Sequence, residues 1–93
     1  MTQFITVHRA PGLIQEEWVE NAVEVHKAKL ASFKHAYVNL GDGFIVTIYE
    51  ADSKEILIEQ FELLGLPHDE IHEIQFSQSD EEMEGMLKSM GKI

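Results

Sequence analysis

The segment between residues 36 and 66 constrains the fold more than any other part of the chain, because a hairpin and a capped helix follow each other in it without a break. Two runs typical of β-strands, 36–40 and 44–49, flank a Gly-Asp-Gly connection. Gly43 can adopt the left-handed conformation that closes so short a loop. The segment therefore predicts two antiparallel neighbouring strands followed by a helix.

The helix after this hairpin is marked at both of its ends. Asp52 and Glu55 form a capping pair three residues apart, and residues 56–64 have helical apolar spacing. Gly65 is the expected left-handed terminator, and Pro67 cannot continue the helix. We therefore expect a helix that ends at residue 64.

The flanking segments complete a single domain. Residues 4–9 are β-rich, residues 13–33 have the apolar spacing of an amphipathic helix, and residues 71–76 form a last strand. The order β-α-β-β-α-β predicts an α+β, ferredoxin-like sandwich with a four-stranded antiparallel sheet. In that arrangement the first strand lies between the third and the fourth.

A C-terminal extension follows the domain. We assign residues 1–76 to the ferredoxin-like domain and residues 77–93 to a helical extension. Ser79 and Glu82 form a capping-box pair at its start. A methionine-rich stripe then recurs at helical spacing, which we interpret as a packing surface and not as a soft-metal site.

Composition excludes several classes of partner. Seven Lys and Arg against seventeen Asp and Glu give a net charge of −10, which disfavours nucleic acids and anionic membrane surfaces. The 93 residues include no cysteine, and no apolar stretch approaches the ~18 residues of a membrane span. The N-terminus lacks an export signal, so we expect a cytoplasmic protein.

The strand pattern predicts which residues face the helices and which remain open. Pairing Leu40 with Phe44 puts apolar residues of both strands on one face, which we expect the helices to cover. That covered face would comprise Ile5, Val7, Val38, Val46, Ile48, Ile74 and Phe76. The other face would display Phe4, Thr6, His8, Tyr37, Asn39, Ile45, Thr47, Tyr49, Ile71 and Glu73. Since this second face is too apolar for water, we predict a homodimer through it.

The path of the chain resembles the small bacterial domain-of-unknown-function family described as nickel-binding-protein-like. The matching positions are Tyr37, Val38, Asp42, Gly43, Tyr49, Glu50, Ala51, Gly65, Leu66, Pro67, Asp69, Ile71 and Glu73. The resemblance covers about residues 4–76 and implies a dimeric ferredoxin-like domain with a divalent metal such as nickel as its cofactor. At two positions this chain differs from the family, which often has Cys where Thr47 stands and His where Phe61 stands.

Two sets of candidate site residues follow. His8 and Glu73 are the best nucleus of a metal site, which a second subunit would complete. The candidate ligand-binding residues are His35, Tyr37, Thr47 and Tyr49. His26 lies within the first helix's apolar stripe, and we interpret it as a core residue with one satisfied nitrogen. We interpret residues 68–72, with two histidines four apart, as a surface turn, because a zincin motif requires a helix there.

Three classes of function remain open. The first is a small dimeric domain that binds a metal ion or a small ligand without catalysis. The second is a small dimeric α+β-barrel enzyme, of the cofactor-independent monooxygenase or isomerase type, in which Trp18, His26 and Tyr37 would be the residues to suspect. The third is a pure assembly module. A cavity of ~300 Å³ or more between helix and sheet would favour the first two over the third.

Overall fold

The computed structural model describes residues 1–93 as four strands and three helices. In chain order they are β1 (Thr2–Arg9), α1 (Gln15–Lys27), β2 (Ser32–Asn39), β3 (Phe44–Ala51), α2 (Lys54–Leu64), β4 (Glu70–Ile74) and α3 (Asp80–Ser89). The strands form one antiparallel sheet in the order β2-β3-β1-β4. The predicted ferredoxin-like α+β fold and its additional C-terminal helix are confirmed.

Local signals set most of the helix ends where the sequence predicts them. Gly65 ends α2 in the left-handed conformation, and Ser79 and Glu82 form the capping box of α3. The N-cap of α2 is Ser53 and not Asp52, because the Ser53 hydroxyl accepts a hydrogen bond from the Ile56 amide at 3.2 Å. The hydroxyl therefore satisfies a backbone donor that the first turn leaves free.

The first helix is shorter than predicted. It ends at Lys27, so the residues that would extend its stripe to Phe33 belong to a turn and to β2. Phe33 pairs with Tyr49 across the sheet, and the centroids of the two rings are 5.5 Å apart. The prediction failed because an aromatic residue at helical spacing can equally begin a strand, and here the cross-strand contact decides the outcome.

The hairpin register differs from the predicted one by a single residue. Phe44 pairs with Asn39 and not with Leu40, so the connection has four residues, 40–43. Tyr37 consequently pairs with Val46 and not with Thr47, and an irregularity between Phe33 and His35 shifts the pairing by one further residue, so that Phe33 pairs with Tyr49. Because side chains alternate along a strand, a one-residue shift changes which β3 side chains share a face with those of β2.

In β1, β3 and β4 the two faces of the sheet are reversed relative to the prediction, whereas Tyr37 and Val38 of β2 keep their predicted faces because the register shift offsets the reversal. The face covered by helices carries Phe4, Thr6, His8, Ile45, Thr47, Tyr49 and Ile71, all of them buried. It packs on Leu57 and Phe61 of α2, both fully buried. Strands β1 and β3 carry apolar residues on both faces, so their alternation does not identify the inner face. The aromatic side chains fill the larger space beneath α2.

The opposite side of the sheet, which we call the open face, has no helix over it. Its central residues Ile5, Val7, Val46 and Ile48 are only half-buried. Tyr37 is 62% exposed beside them. The open face is therefore an apolar surface whose β1 and β3 residues differ from those predicted, while Tyr37 lies on it as predicted.

The C-terminal helix α3 adds length to the molecule, whose extents are 49 × 30 × 21 Å. Its methionines Met83, Met86 and Met90 are exposed. None of the helices is long and apolar enough to cross a membrane.

Candidate ligand cavity

A cavity of about 330 Å³ lies between α1 and the covered face of the sheet. It exists because α1 stands away from the sheet: none of its residues is fully buried, in contrast to α2. The wall on the helix side consists of Trp18, Asn21, Ala22, Val25 and His26. The sheet side and adjoining loops contribute His8, Arg9, Ala10, Leu13, Phe33, Ile45, Thr47, Tyr49, Leu66 and Pro67.

His8 is the central polar residue of this cavity. Its Nδ1 lies 2.8 Å from the carbonyl oxygen of Pro67. Since a carbonyl oxygen can only accept, Nδ1 carries the proton and donates it in this bond. Burial lowers the pKa of His8 below its ordinary value of 6.5, although the bond to Pro67 opposes that effect. At neutral pH the imidazole is therefore uncharged, with an unprotonated Nε2.

Two threonine hydroxyls lie within hydrogen-bonding distance of this unprotonated nitrogen. Nε2 of His8 lies 3.0 Å from the Thr6 hydroxyl and 3.3 Å from the Thr47 hydroxyl. The two hydroxyls also contact each other. Thr6 is completely buried, whereas Thr47 lines the cavity. We call these three side chains the His8 cluster, and Thr47 and His8 are the members that reach the cavity.

Aromatic rings support the cluster from the α2 side. His8 and Phe61 make an edge-to-face contact, with their ring centroids 5.0 Å apart. Phe61 makes a similar contact with Tyr49 at 5.3 Å. Burial raises the pKa of Tyr49 to about 12, so its hydroxyl remains protonated and is a neutral donor. The two buried groups His8 and Tyr49 on the sheet side of the cavity are thus uncharged, and Arg9 is the charged residue of that side.

The helix side of the cavity corrects one prediction about α1. His26 is exposed and lines the cavity, so its interpretation as a core residue was wrong. It was misplaced because α1 packs less closely on the sheet than its apolar stripe implies. Trp18, which is half-buried, lies on the same wall and is the chain's only tryptophan.

The four predicted ligand-binding residues fall on opposite sides of the sheet. Thr47 and Tyr49 line the cavity. His35 and Tyr37 are exposed, and their ring centroids lie 4.6 Å apart on the open face, so they cannot reach the same ligand. Of the residues suspected for an enzyme, Trp18 and His26 line the cavity and Tyr37 does not.

The structure does not bring the predicted metal pair together within one chain. Glu73 pairs with Phe4, four residues along β1 from His8, which corresponds to roughly 13 Å at the rise of a strand. The sequence interpretation placed Glu73 too near the start of β4, which begins at Glu70. No group of three or more His, Cys, Asp or Glu side chains is arranged to hold a metal ion.

The donor set around His8 does not suit nickel. One imidazole nitrogen is present, and its neighbours are two neutral hydroxyls and an apolar ring, whereas nickel and zinc take imidazole, thiolate or carboxylate ligands. The histidines at 68 and 72 do not form an alternative. His72 bonds Glu70 at 3.1 Å in an exposed pair, while His68 packs against Phe61.

Comparison with known proteins supports the fold. The chain matches no protein-family model and no curated protein. It is similar to the crystal structure of SCO4226 from Streptomyces coelicolor A3(2), with 25% sequence identity and a TM-score of 0.72. The match covers 81% of this chain and 98% of that protein, so about a fifth of the present chain has no counterpart there.

Proposed function

We propose that this protein is a small-ligand-binding domain, and that its ligand occupies the cavity between α1 and the sheet. The observation that carries the proposal is the cavity itself, about 330 Å³ with apolar walls and one buried polar cluster. Ligand pockets in proteins typically have this composition, and their volumes begin at ~300 Å³. A well-packed assembly module has no need of such a space between helix and sheet.

The walls favour a neutral, compact ligand. His8 and Tyr49 are both uncharged at neutral pH, because burial moves the pKa of each group toward its neutral form. The net charge of −10 disfavours anions further. Val25, Phe33 and Ile45 supply apolar contacts, so we expect a ligand with a ring or a short branched chain.

The second candidate function is that of a small enzyme, and one specific observation favours it. The unprotonated Nε2 of His8 is the form of imidazole that a general base requires, and His8 lines the cavity. In the present arrangement, however, Nε2 is occupied by the hydroxyls of Thr6 and Thr47. We therefore rank ligand binding without catalysis first.

We also propose that the chain is a relative of the nickel-binding-protein-like family in which metal binding has been lost. Thr47 and Phe61, the two positions that differ from the family pattern, both contact His8. Substitution of a thiolate and an imidazole at these positions by a hydroxyl and a phenyl ring accounts for the unsuitable donor set.

The open face supports the proposal of a homodimer. Ile5, Val7, Val46 and Ile48 are half-buried in the single chain, and Tyr37 is largely exposed. A second copy would cover this apolar surface, and a domain of 93 residues has a small core that gains from such burial. The cavity lies on the other side of the sheet, so both can function together.

Trp18 provides the test of the ligand-binding proposal, because the only tryptophan lines the cavity. Toluene is a suitable probe. We expect a saturable change in Trp18 fluorescence in the wild type and in Val19→Phe, whose substitution lies on an exposed part of α1. Ala22→Phe fills the cavity and is expected to abolish the change. The absence of saturable binding to the wild type would refute the proposal.

A further inference from the structure

The hydrogen atoms of the His8 cluster can be counted. Nδ1–H of His8 is committed to the Pro67 carbonyl oxygen, so the imidazole offers only the lone pair of Nε2 to the cluster. Thr6 and Thr47 each supply one hydroxyl hydrogen. The cluster therefore contains three acceptor atoms and two hydrogens.

When every hydrogen bond within the His8 cluster forms, both hydroxyl hydrogens are used inside the cluster. Thr47 can donate to Thr6, which donates to Nε2, or Thr6 can donate to Thr47, which donates to Nε2. In either arrangement no hydrogen is left to donate into the cavity. The Thr47 oxygen, with two lone pairs, keeps at least one of them free. Thr6 is completely buried and does not line the cavity.

We infer that the cavity selects neutral ring compounds that carry a hydroxyl hydrogen-bond donor, with phenol as the simplest member of the class, and that the Thr47 oxygen accepts this hydrogen bond. The inference rests on the proposed function, since it names the class of ligand for the same cavity. A purely apolar ring would leave a free lone pair of the buried Thr47 oxygen without a donor. At Thr47 a ligand with acceptors alone would face another acceptor, whereas the Tyr49 hydroxyl is a separate donor in the same cavity.

The size and walls of the cavity fit this class. A protein cavity of ~150 Å³ suffices to bind benzene, so about 330 Å³ admits a substituted ring. Phe33 and Trp18 supply aromatic contacts for it. A phenol also remains neutral at pH 7, as the uncharged His8 and Tyr49 favour, because an unperturbed phenolic hydroxyl has a pKa of about 10.

Calorimetric titration with phenol and toluene tests the inference. The measured quantity is the ratio of the phenol affinity to the toluene affinity, compared between wild type and Thr47→Val. The comparison cancels the difference in hydrophobicity between the two probes. We expect the ratio to fall by about tenfold in Thr47→Val, the effect of one hydrogen bond. Thr47→Ser keeps the hydroxyl and is expected to retain the wild-type ratio.

The outcomes separate this inference from the proposed function. If wild type binds both probes and Thr47→Val leaves the ratio unchanged, the inference is overturned while the cavity remains a binding site. If wild type binds neither probe, the proposed function and the inference both fail. If Thr47→Val does not fold, a ratio in Thr47→Ala equal to that of Thr47→Ser overturns the inference, and a lower one supports it.

Discussion

The Nδ1–H of His8 donates a hydrogen bond to the carbonyl oxygen of Pro67, 2.8 Å away. This bond joins the end of β1 to the turn that follows α2. It also fixes Nε2 as the unprotonated nitrogen of the imidazole. The Asp69 amide donates to the Val7 carbonyl oxygen, also at 2.8 Å, and holds the same turn against the same strand. The turn that leads into β4 therefore also determines the chemistry of the cavity.

Stability should depend on the protonation of His8. Burial lowers the pKa of its imidazole below 6.5, so at acid pH the unfolded chain binds more protons than the folded one. Its contribution is fully present above pH 6.5 and is lost as the pH falls toward the folded pKa. We expect the free energy of unfolding to fall as the pH drops below about 6.5, by at most about 1.4 kcal/mol per pH unit from this group. Urea unfolding across this range measures it.

His8→Gln should remove that part of the pH dependence, and His35→Gln is the matched control because its side chain is exposed on the open face. A slope that is identical in the wild type and in His8→Gln would contradict the assignment.

Gly43 should be far less tolerant of substitution than Gly41, although both have positive φ angles in the same connection. A Cβ atom at Gly43 would overlap the backbone of Ala10, whereas one at Gly41 meets nothing within 4 Å. We expect Gly41→Ala to cost about 1–2 kcal/mol and Gly43→Ala to cost about 2–4 kcal/mol of the free energy of unfolding. Equal thermal shifts in the two variants would show that the close approach to Ala10 is unimportant.

A charge on the open face should dissociate the proposed homodimer. Val46 is half-buried on that face, and in a symmetric dimer Val46→Lys introduces two charges into one interface. We expect light scattering to give a dimer mass for the wild type and a monomer mass for Val46→Lys. Leu63→Lys, at a residue 72% exposed on α2, is expected to remain a dimer. A monomeric wild type at micromolar concentrations would refute the proposal.

Two substitutions should create a metal site beside His8. The Thr47 hydroxyl lies 3.3 Å from Nε2 of His8, and the Phe61 ring lies 5.0 Å from the imidazole centroid. Thr47→Cys with Phe61→His would surround one point with a thiolate and two imidazoles, which suit nickel or zinc. Native mass spectrometry should find nickel in the double variant and none in the wild type. Retention of nickel by the wild type would contradict the loss of the site.

The order of the elements could be predicted from the sequence, because each boundary carries its own chemistry. Gly65 followed by Pro67 ends a helix in almost any context, and Ser79 with Glu82 begins one. The covered face of the sheet could not be predicted in this way. Along β1, both Phe4 and Ile5 are apolar, and only the fit of the aromatic residues beneath α2 distinguishes the two faces.

The cavity could not be predicted from the sequence either, for a related reason. Of the partners of His8, only Thr6 is local, whereas Pro67 is 59 residues away and Thr47 is 39 residues away. Thr47 and Tyr49 were named as candidates, but on the assumption of an open face and a register that differs by one residue. The space between α1 and the sheet depends on how closely a helix packs, and amphipathicity does not specify that distance.

The position of a bound probe tests the central claim most directly. Nuclear Overhauser effects between toluene and isotope-labelled protein report which side chains lie beside it. We predict contacts from the toluene protons to the Trp18 ring and to the methyl groups of Val25 and Thr47, and their loss in Ala22→Phe. Contacts confined to the open face, at Tyr37 and Val46, or no contacts at all, would contradict a ligand site between α1 and the sheet.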